Sequence, residues 1–221
     1  MARREIRSFE EFCEYLKLIN YAPKTFIDVG VCYGTPELFN AFPDAYQILF
    51  EPVPELEERL KLLTNKFAGE YHMIALGDKT GNLTLHIPRD GIEGATLVPG
   101  ANLRDIEVKV DTLDNVLGTR KFEGPILLKT DCQGFDLNVI EGGKQRLIDI
   151  DIVVMEVNLY HPRNNFAFPD FAAIVTRMKQ LGYSVYDIIS YQTRPRDEAL
   201  GYVDLVFARD DCPLKAHHSW S

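Results

Sequence analysis

Short apolar runs alternate with helical patterns along most of this chain. The apolar runs are short enough to be buried strands, and they lie at 26–29, 46–50, 125–131 and 151–157. Helices are predicted before or between them, at 9–20, 55–67, 136–148 and 170–181. Strands that alternate with helices in this way predict a doubly wound α/β sheet in which most strands are parallel.

Weaker patterns complete the expected topology. Further strands are predicted at 70–76, 82–87, 106–110, 183–188 and 202–208. Only an irregular segment separates the last two, which therefore should pair antiparallel and close a seven-stranded, Rossmann-like sheet. We expect a single domain over residues 1–221, with an N-terminal helix at 8–20 that starts with a Ser8–Glu11 capping box. Residues 213–221 should form a loose tail, so its two histidines are expected to bind no metal.

Composition narrows the class of protein. A length of 221 residues with 46% hydrophobic content suits a globular protein with a full core. The net charge of −9 without a basic cluster argues against nucleic-acid partners, and the lack of a long apolar run argues against a membrane. Four widely spaced cysteines favour a reducing cytoplasm over a disulfide framework or zinc site. The oligomeric state stays open.

A glycine turn follows the first predicted strand, and an acid ends the second. The turn at 28–34 has the pattern Asp-x-Gly-x-Cys-x-Gly, and Thr35 should cap the next helix. Glycine lets a ligand approach the backbone, and Glu51 could accept both hydroxyls of a ribose. The turn lacks two glycines of the dinucleotide fingerprint, which disfavours an NAD-type oxidoreductase. It resembles the S-adenosylmethionine (SAM) loop of class I methyltransferases, although these usually have glycine where Cys32 stands.

Polar residues mark the carboxyl ends of several predicted strands. Asp28, Glu51, the 76–78 segment, Asp131 and Glu156 occupy such ends. Sites in open α/β sheets form at this edge, so these residues should lie along one rim. Lys129 should share a face with Asp131, where it is either a catalytic group or the partner of a neighbouring acid.

An ordered series of short motifs resembles the FkbM-type SAM-dependent methyltransferases. The motifs lie at 26–30, 50–52, 75–81, 110–114, 128–136, 141–143, 154–156 and 204–209, so the resemblance covers about residues 25–208. Cys32 and Cys132 depart mildly from the family pattern, and the 159–165 segment is less typical. The resemblance implies O-methylation of a hydroxyl on a small molecule such as a sugar or natural product, with S-adenosylhomocysteine (SAH) as the second product.

Specific roles follow from that resemblance and from the strand-end positions. The residues expected to bind the cofactor are Asp28, Gly30, Tyr33, Gly34, Thr35, Glu51, Ala75, Leu76, Gly77 and Asp131. The candidate catalytic residues are Asp131, Lys129, Glu156 and His161. A magnesium ion, if one is used, would be held by Asp131, Glu156 and Asn158, whose oxygens suit Mg²⁺. The irregular, glycine-containing segment 88–104 is expected to be a lid.

Two alternatives remain beside the leading hypothesis. One is methylation of an amine or carboxyl group on the same scaffold, and another is a SAM-binding module without catalysis. Amino methyltransferases of nucleic acids are disfavoured, because the 131–134 segment lacks their Asn/Asp-Pro-Pro-aromatic motif.

Overall fold

The computed structural model describes residues 6–97, 99–160 and 169–216. Its strands are β1 (Thr25–Val29), β2 (Tyr46–Phe50), β3 (Gly69–His72), β4 (Ala75–Leu76), β5 (Gly81–Pro88), β6 (Leu103–Asp111), β7 (Ile126–Thr130), β8 (Ile152–Asn158), β9 (Tyr183–Thr193) and β10 (Leu200–Arg209). Its helices are α1 (Phe9–Leu18), α2 (Pro36–Ala41), α3 (Glu57–Lys66), α4 (Leu113–Leu117), α5 (Asp136–Gly142) and α6 (Phe171–Gln180). No helix within these ranges is long and apolar enough to cross a membrane.

Seven strands form the main sheet, in the order β3-β2-β1-β7-β8-β10-β9. The first five are parallel, whereas β10 runs antiparallel to both β8 and β9. The predicted doubly wound sheet with an antiparallel closure is therefore confirmed. The sequence predicts an irregular segment over 189–201, and its bounds are wrong. The pairing of β9 with β10 extends to Thr193 on β9 and begins at Leu200 on β10.

Each face of the main sheet is covered by helices. Leu16 of α1, Phe39 of α2 and Leu60 of α3 belong to one buried cluster, and Leu113, Val139 and Met178 of α4–α6 belong to the other. Successive strand residues alternate between these clusters, as in Phe26 and Ile27 of β1. This alternation directs Asp28, like Phe26, toward the face covered by α1–α3.

A second, three-stranded sheet with the order β4-β6-β5 was not expected from the sequence. The single strand predicted at 70–76 is wrong, because the chain leaves the main sheet after His72 and β4 pairs with β6. The predicted helix at 136–148 is also too long, since α5 ends at Gly142 and a separate 3₁₀ turn follows at Arg146–Asp149. Part of the predicted tail is ordered, as Pro213–Lys215 form a 3₁₀ turn, whereas 217–221 with both histidines lie outside the described residues.

Candidate active site

The turn after β1 requires glycine for two independent reasons. Gly30 has a φ of 78°, and a Cβ added there would overlap the carbonyl oxygen of Asp131 and lie 3.0 Å from its carbonyl carbon. The close approach continues the β1–β7 pairing, since the Asp131 amide donates to the Val29 carbonyl. Cys32 has a φ of 49°, in the left-handed region that favours glycine, which gives a physical reason for the glycine usual at this position.

Asp28 lies behind this turn and is fully buried. Its Oδ2 accepts a hydrogen bond of 2.7 Å from the Thr35 hydroxyl, and its Oδ1 lies 3.5 Å from Lys129 Nζ. Thr35 precedes α2 as predicted, but its side chain makes no capping bond, because the hydroxyl is directed to Asp28 instead. Asp28 therefore links the glycine turn to β7 and α2.

Glu51 holds the same turn from the end of β2. Its Oε2 accepts from the Cys32 amide at 2.8 Å and its Oε1 accepts from the Val53 amide at 3.0 Å. Burial, together with the charges of Asp28 and Asp131, raises the pKa of this carboxyl above its usual value, although the two amide bonds oppose the rise. Each carboxylate oxygen has a second lone pair, so Glu51 can still accept two hydroxyl groups.

A cavity of about 400 Å³ opens beside the turn, and we call it the first cavity. Gly30, Glu51, Ala75, Leu76 and Asp131, all expected to bind the cofactor, line it, as does Glu156. Sequence reasoning missed much of its apolar wall, which includes Leu83, Leu85, Val108, Phe135 and the loop residues Ile92, Ala95 and Leu97. Asp28, Tyr33, Gly34, Thr35 and Gly77 are not among its lining residues. Ile92, Ala95 and Leu97 belong to the segment 88–104, so the predicted lid forms part of the cavity wall. That this segment moves stays a prediction.

The Glu141-Gly142-Gly143 motif has a packing role next to this cavity. A Cβ at Gly142 would overlap the Gly77 carbonyl oxygen and lie 3.2 Å from Thr112 Cβ. Glu141 pairs with Arg177 of α6 and with Lys144, and the hydrogen bonds from Arg177 lower its pKa to about 2. The motif thus places α5 directly against the end of β4.

Lys129 and Asp131 lie together at the end of β7, as predicted. Lys129 Nζ is 3.6 Å from Asp131 Oδ2, and Gln133 Nε2 donates to Asp131 Oδ1 at 3.1 Å. Burial disfavours the ammonium charge of Lys129, but Asp28, Asp131 and Asp204 outweigh burial and raise its pKa above the usual value. Lys129 is therefore a cation and a hydrogen-bond donor at neutral pH.

Glu156 on β8 is neutral, whereas Lys129 keeps its charge. Burial and the neighbouring charges of Asp131, Asp136 and Asp204 raise the pKa of Glu156 to about 9. Glu156 is therefore protonated at neutral pH and can donate a hydrogen bond. Asp136 itself is buried and accepts from the amides of Cys132 and Gly134, which fixes the turn between β7 and α5.

A second cavity of about 420 Å³ adjoins the first on the face covered by α1. Its lining residues come from α1, β7, β8, β9 and β10, and they are Phe9, Lys129, Thr130, Asp131, Val154, Glu156, Ser190, Tyr191, Gln192, Tyr202 and Asp204. Three of them, Asp131, Glu156 and Tyr202, also line the first cavity. No sequence signal identified the residues of β9 and β10, because their position depends on strand pairing.

Two predicted groups remain apart from this arrangement. His161 lies outside the residues that the structure describes. Asn158 pairs with Tyr202 in the sheet but is not a lining residue of either cavity. Within 6–97, 99–160 and 169–216, no group of three His, Cys, Asp or Glu side chains is arranged to hold a metal ion.

Sequence comparison identifies the family. A family model described as the methyltransferase FkbM domain matches residues 28–185, from Asp28 at the end of β1 into β9. The chain belongs to the FkbM methyltransferase family. The matched region contains the glycine turn, Glu51, Lys129, Asp131 and Glu156. It also contains every lining residue of the first cavity except Tyr202. No curated protein matches the sequence.

Solved structures, two of them named as methyltransferases, are similar to this chain at low sequence identity. Magnesium protoporphyrin IX methyltransferase (ChlM) from Synechocystis PCC 6803, solved with bound SAM, has a TM-score of 0.50 and 8% identity, over 91% of this chain and 77% of that one. An N1-methyltransferase for 1,6-didemethyltoxoflavin from Burkholderia thailandensis gives 0.48 and 7%, over 92% and 79%. EvdMO1 gives 0.48 and 9%, over 91% of this chain, which spans only 41% of EvdMO1. These likenesses extend to the fold alone.

Proposed function

We propose that the protein transfers a methyl group from SAM to a hydroxyl oxygen of a small molecule. The observation that carries this proposal is the buried Glu51 carboxylate beside the Gly30 turn, in a cavity that Asp131 and Glu156 also line. The acid that we assign to the ribose and the candidate catalytic groups thus line the same cavity. The free state of all four cysteines supports a reducing setting such as the cytoplasm.

The residues of the first cavity fit the parts of SAM. Glu51 would accept the two ribose hydroxyls, while Ala75, Leu76 and Phe135 offer apolar surface to an adenine. Gly30 and Asp131 line the cavity next to each other, so the methionine end would lie against the glycine turn beside Asp131. When bound, SAM would supply an electrophilic methyl group. A cavity of about 400 Å³ is within the usual range of roughly 300–1,000 Å³ for small-molecule sites.

Among the catalytic candidates described here, Asp131 is the best suited to accept the acceptor proton. Lys129 is protonated and Glu156 is neutral, so neither can act as a base at neutral pH without first losing a proton. Asp131 is partly exposed, is oriented by Gln133 and lines both cavities. The Lys129 cation beside it would stabilise negative charge that develops on the acceptor oxygen.

Calorimetric titration with SAH tests the cofactor assignment. Glu51→Gln keeps the shape but removes the charge and turns an amide group toward a backbone N–H. A hydrogen bond to a charged group contributes about 1.5–3 kcal/mol, so we expect SAH affinity to fall roughly 10- to 150-fold. Glu58→Gln on the exposed face of α3 is the matched control and should bind like wild type. Equal affinity of Glu51→Gln and wild type would overturn the assignment.

Turnover measurements separate the catalytic alternatives. Loss of a general base typically lowers the rate about 10²- to 10⁴-fold, so Asp131→Asn should retain SAH binding within several-fold but release little SAH during turnover with an acceptor. If EDTA abolishes wild-type turnover and Mg²⁺ restores it, a metal-assisted mechanism replaces the simple base. Fragmentation mass spectrometry and NMR of the product distinguish methylation of a hydroxyl from methylation of an amine or carboxyl group. A protein that binds SAH but produces no SAH from SAM would be a non-catalytic module.

A further inference from the structure

The two cavities meet at three residues, and this boundary has a consequence for the acceptor. Asp131, Glu156 and Tyr202 line both spaces, whereas Glu51 and Gly30 line only the first and Ser190 and Asp204 only the second. In a direct methyl transfer, the donor and acceptor atoms must be in contact and aligned. If the cofactor occupies the first cavity, the acceptor must reach the boundary from the second.

Strand register places a polar surface in the second cavity. Glu156 pairs with Asp204, which in turn pairs with Ser190, and paired residues point to the same face of a sheet. One residue pair further along, Tyr202 lies opposite Gln192. Five polar or aromatic side chains on three strands therefore face the space under α1, which Phe9 also lines.

The charges in this cavity are unbalanced. Two carboxylates, Asp131 and Asp204, share it with one ammonium group, Lys129, while the third carboxyl group, Glu156, is protonated. Burial raises the pKa of Asp204, while the Ser190 hydroxyl hydrogen-bonds to its carboxylate. An acceptor with a negative charge would add repulsion and would also lose its hydration. Hydroxyl or ammonium groups, in contrast, can donate to the carboxylates.

Tyr202 is held in a defined position at the boundary. Its hydroxyl is 2.5 Å from Gln192 Oε1 and donates a hydrogen bond to it, which ties the side chain of β10 to that of β9. Because the hydroxyl is engaged with Gln192, the ring is the part available to contact an acceptor. An aromatic ring that borders both cavities can press an acceptor toward the cofactor side.

We propose that the second cavity is the acceptor subsite, that it takes a polar acceptor without negative charge, and that the Tyr202 ring positions this acceptor at the boundary. The inference rests on the proposed function, since it assigns the first cavity to SAM. It adds the location of the acceptor, the charge that the site selects, and a positioning residue from β10.

Three methyl glycosides that differ in charge on the same ring test the selectivity. Methyl glucoside is neutral, methyl glucosaminide is cationic and methyl glucuronide is anionic at pH 7. Saturation-transfer NMR on the full chain with SAH present should detect the neutral and cationic probes, with the anionic probe at least tenfold weaker. Anionic binding as tight as neutral binding would overturn the charge selectivity, and absence of binding by every glycoside would overturn the acceptor assignment.

Variants of Tyr202 test its positioning role. Tyr202→Phe keeps the ring and should bind methyl glucoside within about threefold of wild type, whereas Tyr202→Ala should lose at least tenfold. If Tyr202 acted only through its hydroxyl bond to Gln192, Tyr202→Phe would lose as much affinity as Tyr202→Ala. Binding retained by the phenylalanine variant alone therefore assigns the effect to the ring. Tyr71→Phe, which removes a hydroxyl bonded to Glu57 at the opposite edge of the sheet, is the control. If Tyr202→Ala does not fold, Tyr202→Leu replaces it with the same expectation; wild-type glucoside affinity in the folded variant would overturn the role.

SAH titration of the same samples keeps the two proposals separate. SAH binding without glycoside binding would contradict only the acceptor inference. Failure of wild type to bind SAH would contradict the proposed function, whatever the glycosides do.

Discussion

Replacement of Gly30 by alanine tests the geometry that joins the glycine turn to β7. Alanine at a φ of 78° costs about 1–2 kcal/mol, because its Cβ crowds the following carbonyl oxygen. The new Cβ would also overlap the main-chain carbonyl of Asp131, and backbone cannot move aside as a flexible side chain does. Overpacking typically costs about 1–3 kcal/mol, which gives a total loss of about 2–5 kcal/mol. Because β1 and β7 must separate, Asp131 should shift and SAH binding should weaken too.

Urea unfolding of Gly30→Ala and wild type measures this loss, with thermal unfolding as a second assay. One kcal/mol shifts Tm by roughly 2–4 °C in a chain of this size, so Tm should fall by about 4–20 °C. Gly81→Ala is the matched control, because its φ is ordinary and a Cβ there meets nothing within 4 Å. A loss below about 0.5 kcal/mol for Gly30→Ala, or an equal loss for both variants, would refute the reasoning.

Three further predictions address packing, charge and the lid. Gly142→Ala should lose about 1–3 kcal/mol in urea unfolding and weaken SAH binding, because its Cβ displaces Gly77; Gly91→Ala, with open space around it, should do neither. Glu156 is protonated in the fold but ionised when unfolded between pH about 4.5 and about 9, so its contribution to stability falls as pH rises through this window. The Tm difference between Glu156→Gln and wild type should therefore grow in favour of Gln from pH 5 to 9, and a constant difference would contradict the raised pKa. SAH should slow tryptic cleavage in the 88–104 loop, and equal cleavage with and without SAH would count against a lid.

Local signals predicted the elements whose boundaries depend on nearby residues. The apolar runs at β1, β2, β7 and β8 are buried on both faces of a parallel sheet, so composition alone identified them. The capping box at Ser8 is present, with Glu11 N donating to Ser8 Oγ. The proximity of Lys129 to Asp131 followed from the two-residue repeat of a strand.

Features that depend on pairing between distant segments could not be predicted from the sequence. Whether 70–76 forms one strand or two depends on β6, more than 25 residues further along the chain, which takes β4 away from the main sheet. The apolar wall supplied by Leu83, Leu85 and Val108 follows from that second sheet. Tyr202 reaches the boundary between the cavities only because of its register with Gln192 and Asn158.

A crystal structure of the protein with SAH tests the central claim most directly. The account predicts SAH in the first cavity, with the ribose hydroxyls on the Glu51 carboxylate and the homocysteine end near Gly30 and Asp131. SAH bound elsewhere, or bound with Glu51 in contact only with the Cys32 and Val53 amides, would contradict it.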